Sequence, residues 1–181
     1  APLRIDVVST AADETRLQIA ASDRLGLLAD VAGGLALAGL PVRGGHAWIT
    51  PDGTAVSWWD LPVADVNTSR LGARLRQLLS GSTELRGRLA VGAAPRDAPP
   101  VVLVVPGASS TATVVEVRAQ DRRGLLWAVC DVFARHRVDV RTAHLDTLGS
   151  QTYDVFYLVG PEGDALPDAV IAEVVADIER L

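Results

Sequence analysis

The chain has 181 residues, of which 49% are hydrophobic and 22% are charged, and a formal net charge of -5; this composition suits one ordinary globular domain or two small ones. The negative charge disfavours a nucleic-acid binder, because phosphate neutralisation supplies most of the affinity of such proteins. No apolar run reaches the roughly 18–20 residues of a membrane span, the start lacks the regions of a signal peptide, and the single cysteine, Cys130, fits a reducing cytoplasm.

The first half of the chain predicts alternating strands and helices. In chain order, the patterns indicate a strand at 3–8, a strand at 15–21, an amphipathic helix at 26–40, a hairpin at 42–63 and a second helix at 69–79. The hairpin turns at a Pro-Asp-Gly sequence. Because the chain contains no methionine, we expect it to be part of a longer protein.

The second half repeats the same order. A linker-like stretch at 91–100 is followed by a strand at 101–105, a strand at 111–119, a helix at 124–137, a hairpin at 138–159 and a helix at 166–181. The two halves also match in detail, since DRLGLL at 23–28 recurs as DRRGLL at 121–126 and His46 aligns with His144. We therefore predict a duplication, with a first domain at 1–90, a linker at 91–100 and a second domain at 101–181.

Each half predicts an α+β fold with a four-stranded antiparallel sheet and two helices on one face, which is the ferredoxin-like pattern. The edge strands leave two arrangements open. The strand at 101–105 can complete the first sheet, or it can stay in its own half. The strand at 3–8 can fill the vacant edge of either half, so strand exchange between the units is possible, and an open apolar edge would invite aggregation.

The hairpin strands predict a sheet that is apolar on both faces. Trp58 and Trp59 are neighbours on one strand and must point to opposite faces. Since the helices cover only one face, we expect the other to be buried between units or between subunits of a homo-oligomer; scattered exposed apolar residues are the alternative.

The repeated hexapeptide stands where a strand gives way to a helix. Asp23 and Asp121 are predicted N-caps, and the remaining N–H groups of the first turn can bind an anion such as a carboxylate. Gly26 and Gly124 lack a Cβ, so a ligand can approach the backbone, although glycine can equally serve helix packing. On the ligand interpretation, Gly124→Val abolishes binding and leaves the fold largely intact.

These motifs carry a family resemblance. A strand, Asp-Arg-x-Gly-Leu-Leu, an amphipathic helix and Val-x-x-x-His on the next strand resemble the ACT domain, a small-molecule sensing module of order βαββαβ. The pair resembles the tandem ACT domains that close the PII uridylyltransferase/uridylyl-removing enzymes, over nearly the whole chain. That family has proline in place of Leu25 and Arg123, and usually aspartate where Ser57 stands.

The resemblance implies a regulatory role. It implies a tandem ACT module that binds glutamine, reports nitrogen status to upstream catalytic domains of the same polypeptide, and so controls nucleotidylation of the PII signalling protein in the cytoplasm. The chain itself would hold no catalytic site, no metal and no cofactor beyond the amino-acid effector, whereas the parent enzyme would use a nucleoside triphosphate and a divalent metal. An ACT module in a different host, sensing another amino acid, is the alternative.

By the same resemblance, the ligand would lie against the two hexapeptide loops, with the following strands as walls. The implied effector-binding residues are Asp23, Arg24, Leu25, Gly26, Leu27, Leu28, Val42, His46, Asp121, Arg122, Arg123, Gly124, Leu125, Leu126, Val140 and His144. The loop N–H groups would bind the ligand carboxylate, Asp23 or Asp121 its ammonium, and His46 or His144 its amide. The other interpretation of the histidines is packing at a unit interface.

Two other classes share the architecture. An RNA-binding module of the RRM type would stack bases on aromatic residues, but the strands at 15–21 and 111–119 carry none. An acylphosphatase-like enzyme would use Arg24 or Arg122 to hold phosphate, but the glycine-flanked loop and partner amide of that chemistry are missing. We rank both below the sensing module.

Overall fold

A computed structural model describes residues 2–92 and 98–181 of the chain. The strands are β1 Arg4–Ala11, β2 Glu14–Ser22, β3 Gly44–Ile49, β4 Thr54–Leu61, β5 Val101–Val104, β6 Thr113–Gln120, β7 Asp139–Leu148 and β8 Gln151–Val159. The helices are α1 Leu27–Leu37, α2 Thr68–Leu79, α3 Thr83–Gly92, α4 Leu125–Arg135 and α5 Asp168–Ile178. The predicted α+β class with tandem ferredoxin-like units is confirmed.

All eight strands form one antiparallel sheet in the order β1-β2-β4-β3-β7-β8-β6-β5. The order divides into two groups of four strands that correspond to the two halves of the chain. Alternating apolar residues favour this arrangement, because from Leu17 in β2 and from Val115 in β6 every second residue is apolar and points to the helices. Leu17 and Ile19 on β2, and Val115 and Val117 on β6, are almost completely buried there.

The edge strands stay in their own halves. β1 pairs with β2, with Arg4 opposite Ala20, and β5 pairs with β6, with Val101 opposite Arg118. The strand at 101–105 therefore does not complete the first sheet, and the two halves do not exchange strands. In each half the edge strand comes before the other three strands of its sheet. A short connection joins it to the next strand in the chain, with which it forms a hairpin.

The two halves join through their inner strands. β3 and β7 pair antiparallel, with His46 opposite His144 and Ala47 opposite Ala143. Above this junction α1 packs against α4. A glycine allows the close approach, since a Cβ on Gly33 would lie 2.9 Å from Cδ1 of Trp127.

The core lies between the sheet and the helices, and the other face of the sheet is open. Trp59, Phe133 and Phe156 are fully buried, and the two phenylalanine rings meet edge to face at 5.0 Å. Trp58 lies on the opposite face and is 38% exposed. The expectation that this face would be buried between the two units is wrong, because the units join edge to edge and leave both sheets uncovered on the same side.

The first half contains a helix that the sequence did not predict. α3 follows α2 after a short turn and buries Leu85 and Leu89. It covers the start of the predicted linker at 91–100, so the first unit extends to Gly92, and residues 93–97 of that linker lie outside the described residues.

The N-caps differ from the prediction. α1 begins after Gly26 and α4 after Gly124, and both glycines have left-handed backbones with φ of 79° and 81°. No side chain caps either helix; the backbone N–H groups of Asp23 and Asp121 instead donate to the carbonyls of Gly53 and Ser150. The glycines are thus required by the turn itself, and Gly26 faces α4, where a Cβ would meet that of Ala134 at 3.5 Å.

The left-handed backbone of Gly124 changes the expected effect of substituting this residue. Because a left-handed residue with a Cβ costs about 1–2 kcal/mol, we expect Gly124→Ala to lower the free energy of unfolding by about that amount, and Gly124→Val to lower it further. Urea denaturation measures the change. The control is Gly87→Ala in α3, where no atom lies within 4 Å of the added Cβ and alanine favours the helix. Equal stability of Gly124→Ala and wild type would show that the turn tolerates a side chain.

Candidate functional site

Two cavities lie between the halves, related by the repeat. The first cavity is formed by the loop at 23–29, by Phe133 and Ala134 of α4, and by residues 138–140 at the start of β7; its volume is about 50 Å³. The loop of the first half thus lies against the helix of the second half.

The second cavity has the reciprocal arrangement. It is formed by the loop at 121–127, by Leu35 and Ala36 of α1, and by residues 39–42 before β3; its volume is about 290 Å³. A cavity of this size at an interface between units approaches the lower end of the range for small-molecule sites.

Most of the predicted site residues line these cavities. Those of the first cavity are Asp23, Arg24, Gly26, Leu27, Leu28 and Val140, and those of the second are Val42, Asp121, Arg122, Arg123, Gly124, Leu125 and Leu126. Each cavity combines a loop of one half with a strand residue of the other, because Val140 of the second half lies beside the first loop and Val42 of the first half lies beside the second loop. Leu25 lines neither cavity and is 37% exposed.

The two histidines lie elsewhere. His46 pairs with Trp58 and His144 with Val155, so both rings point to the open face, opposite the helices. They stack on each other, with ring centroids 4.4 Å apart and planes 15° apart. Burial, and then the neighbouring His144, lower the pKa of His46. The structure therefore separates the histidines from both cavities, and we leave them out of the candidate site.

The first cavity contains two carboxyl groups. Burial raises the pKa of Asp23, and a backbone hydrogen bond from Arg24 partly offsets this. Burial also raises the pKa of Asp139, and the charge of Asp23 adds to the effect. The guanidinium of Arg24 forms an ion pair with Asp30, a buried residue of α1, and therefore points to the helix.

The second cavity contains Asp121 and Asp154. Burial raises the pKa of Asp121, partly offset by a backbone hydrogen bond from Arg122. Burial raises the pKa of Asp154 to about 7, and the charge of Asp121 contributes. Asp154 is 9% exposed, and its Oδ1 accepts one hydrogen bond, 3.2 Å long, from the backbone N–H of Asp146.

Arginines fix the second loop to its surroundings. Nε of Arg123 donates to the carbonyl of Ala36 at the end of α1, at 2.8 Å, and Nη2 of Arg122 donates to the carbonyl of Leu181 at 3.3 Å. The second loop thus touches both the first half and the end of the chain. The Ala36 carbonyl also accepts a hydrogen bond from the backbone N–H of Gly39, so the arginine adds to an existing helix-end contact.

Among the cavity residues that sequence reasoning missed are two carboxylates and two hydroxyls, namely Asp139, Thr147, Thr152 and Asp154. A signal for Asp154 was present, because it aligns with Ser57, the position at which the resembling family usually carries aspartate. The threonines carry no signal in the sequence, since a strand favours threonine for its shape alone.

Other kinds of site are not evident in residues 2–92 and 98–181. No three or more histidine, cysteine, aspartate or glutamate side chains there are arranged to hold a metal ion. None of the helices described is long and apolar enough to cross a bilayer. Cys130 is buried in α4, and burial raises the pKa of its thiol far above the ordinary value.

Known proteins are similar to this chain in sequence. Residues 113–180 match the family model of the ACT domain. The chain is 38% identical over 184 aligned residues to a bifunctional uridylyltransferase/uridylyl-removing enzyme of Streptomyces coelicolor, covering 91% of this chain and 22% of that protein. It is 32% identical over 182 residues to the enzyme of that name from Caulobacter vibrioides, covering 90% and 19%. The chain therefore spans about a fifth of the length of these relatives.

Among solved structures, a protein of unknown function from Galdieria sulphuraria aligns over 93% of this chain and 90% of its own, with a TM-score of 0.32 and 16% identity. That likeness is too slight to carry an argument.

The raised pKa of Asp154 predicts a pH-dependent stability. The folded state holds the Asp154 proton more tightly than the unfolded chain, whose carboxyl titrates near 3.8. The contribution of Asp154 to the free energy of unfolding therefore falls as pH rises from about 4 to about 7. As pH rises through this window, we expect the free energy of unfolding of Asp154→Asn to increase relative to that of wild type by more than about 1 kcal/mol. Urea denaturation at several pH values measures the difference.

The control for this measurement is Asp52→Asn. Hydrogen bonds from Thr50 and Thr54 lower the pKa of the exposed Asp52. The difference in unfolding free energy between Asp52→Asn and wild type must therefore change with pH only below about pH 4. Parallel pH profiles for wild type and Asp154→Asn between pH 5 and pH 7 would mean that Asp154 is already ionised in the folded protein.

Proposed function

We propose that this chain, a regulatory ACT region similar to part of the PII uridylyltransferases, binds glutamine between its two units and reports nitrogen status to a catalytic part of the same polypeptide. The observation that carries the proposal is the pair of cavities at the repeated loops, where the N-terminus of a helix from one half faces the helix of the other. Their position accounts for most of the residues that the motif implies.

The chemistry of the cavities suits a free amino acid. The N–H groups of Leu27 and Leu125 donate to the carbonyls of Arg24 and Arg122. The next N–H groups of the first turn have no acceptor within their own helices, and the helix dipole adds to their attraction for a carboxylate. A carboxylate that lines the cavity supplies an oxygen acceptor for the ammonium group, and the loops contribute Asp23 and Asp121 to this set. Both ends of a zwitterion thus find partners in the same loop.

The affinity required is modest. A sensor of an abundant metabolite works at a Kd near its cellular level, and about 1 mM corresponds to roughly -4 kcal/mol. A few backbone hydrogen bonds with one charge-assisted contact supply that much. A partly open cavity is therefore sufficient.

Binding between the units provides a route for regulation. A ligand that contacts a loop of one half and the helix of the other favours one relative placement of the halves, and it shifts the population towards that placement. In the parent protein this shift would control transfer of a nucleotidyl group, from a nucleoside triphosphate with a divalent metal, to the PII signalling protein, and its removal.

Glutamine is expected to stabilise the chain. At ten times Kd, linkage adds roughly 1.4 kcal/mol to the free energy of unfolding, which raises the Tm of a chain of this size by about 3–5 °C. Differential scanning calorimetry with increasing L-glutamine measures the shift. D-Glutamine at the same concentrations is the control, because the reversed centre cannot place both charged groups and the side chain together. The proposal is falsified if L-glutamine leaves Tm unchanged up to about 50 mM, since a Kd near 1 mM demands a shift there.

A further inference from the structure

We propose that the two cavities have diverged, and that only the second holds the amino acid, with Asp154 as the acceptor for its ammonium group and Thr147 and Thr152 selecting an amide side chain. This inference rests on the proposed function and assigns it to one site. It uses three residues that the sequence motif does not contain.

The first argument is the difference in space. The repeat places Leu35 of the second cavity at the position of Phe133 in the first. The Phe133 ring lines the first cavity and packs on Phe156, and the smaller Leu35 occupies less of the second. The volumes of the two cavities are about 50 Å³ and about 290 Å³. The smaller holds a few water molecules, and the larger holds an amino acid.

The second argument is the difference in polarity. Three sheet positions that face the second cavity are polar, and their repeat partners in the first are Ile49, Ala55 and Ser57. The polar residues are Thr147, Thr152 and Asp154, in the same order. A zwitterion with an amide side chain requires polar partners on all sides, because each unpaired group would lose its hydrogen bonds to water. On the sheet wall, the second cavity supplies three such partners and the first supplies Ser57 alone at the matched positions.

The third argument is the missing partner of Asp154. Two buried aspartates can be compared, since Asp30 is 3% exposed and Asp154 is 9% exposed. Asp30 forms ion pairs with Arg24 and Arg86. Within residues 2–92 and 98–181, Asp154 forms no ion pair, and its single hydrogen bond comes from the backbone of Asp146. A buried carboxylate without a cation is costly, and a bound ammonium removes that cost.

The charged and titratable groups around Asp154 reinforce this preference. Asp121 in the loop and Asp146 on β7 are both acidic, and after burial their charges raise the pKa of Asp154. The Cys130 thiol of α4 is neutral near pH 7, because burial, and then the Asp154 charge, raise its pKa far above the ordinary value. The two acidic neighbours disfavour the negative charge of Asp154, and they favour a cation beside it. Binding of the ammonium therefore stabilises the charged form of Asp154, and the protein releases a proton when it binds ligand near neutral pH.

The threonines favour the amide of glutamine over the carboxylate of glutamate. The hydroxyl of Thr147 donates to the carbonyl of Val42 at 3.2 Å, and that of Thr152 donates to the carbonyl of Ala119 at 3.3 Å. Their protons are thus committed, and each oxygen keeps only acceptor capacity towards the cavity. An amide N–H group can donate to these oxygens, whereas a carboxylate cannot and would also face two aspartates.

Isothermal titration calorimetry of the 181-residue chain with L-glutamine tests the inference. We expect one ligand per chain, a Kd at least tenfold weaker for Asp154→Asn, and a Kd within twofold of wild type for the matched variant Ser57→Asn in the first cavity. Glutaramate, which is glutamine without its ammonium, should bind weakly and be insensitive to Asp154→Asn. Two equal sites per chain, or an unchanged Kd for Asp154→Asn, would overturn the inference.

Wild-type protein provides a test that does not depend on the folding of a variant. Titrations at pH 7 in buffers of different ionisation enthalpy report protons exchanged on binding, and we expect net release with affinity falling as pH is lowered from 7 to 6. A ratio of glutamine to glutamate affinity near one, or no proton exchange, contradicts the assignment. Failure of the wild-type chain to bind any amino acid would instead remove the proposed function itself, so the two failures are distinguishable.

Discussion

The antiparallel pairing of β3 with β7 determines the position of every other functional feature. It converts two four-stranded sheets into one, with His46 opposite His144, and it places the helices of both halves in one layer. α1 and α4 then contact each other above the junction. Because each hexapeptide loop precedes one of these helices, each loop faces the helix of the other half, and each cavity has walls from both. A single half would contain neither site.

The sequence predicted those parts of the fold that depend on local patterns. Alternation identified the strands, helical periodicity identified α1 and α4, and the repeated hexapeptide identified the loops. It did not place the edge strands, because an apolar strand such as β5 satisfies either edge equally well before the chain path is known. It also assigned the caps to Asp23 and Asp121, since aspartate is a frequent N-cap, whereas the left-handed turn at Gly26 and Gly124 moves the helix starts three residues further along.

The candidate site was predicted in part for a related reason. Its loops can be read from the motif, but the crossed walls follow from the β3–β7 register, which no single strand encodes. The contribution of Asp154 depends on its surroundings, namely burial, an acidic neighbour and the absence of an ion pair to it among the described residues. Asp30 is equally acidic in the sequence, yet two arginines neutralise it. Charge compensation of this kind appears only once the chain is folded.

The close packing at Gly33 bears on how the duplicated units can assemble. The repeat aligns Gly33 with Asp131 and Trp127 with Ala29, so the indole of Trp127 fits only where its partner helix carries the glycine. If two copies of the second unit associated in the same way, each indole would meet an aspartate. The packing of the two units is therefore asymmetric at this position, and a duplicate of the second unit could not replace the first without a clash there.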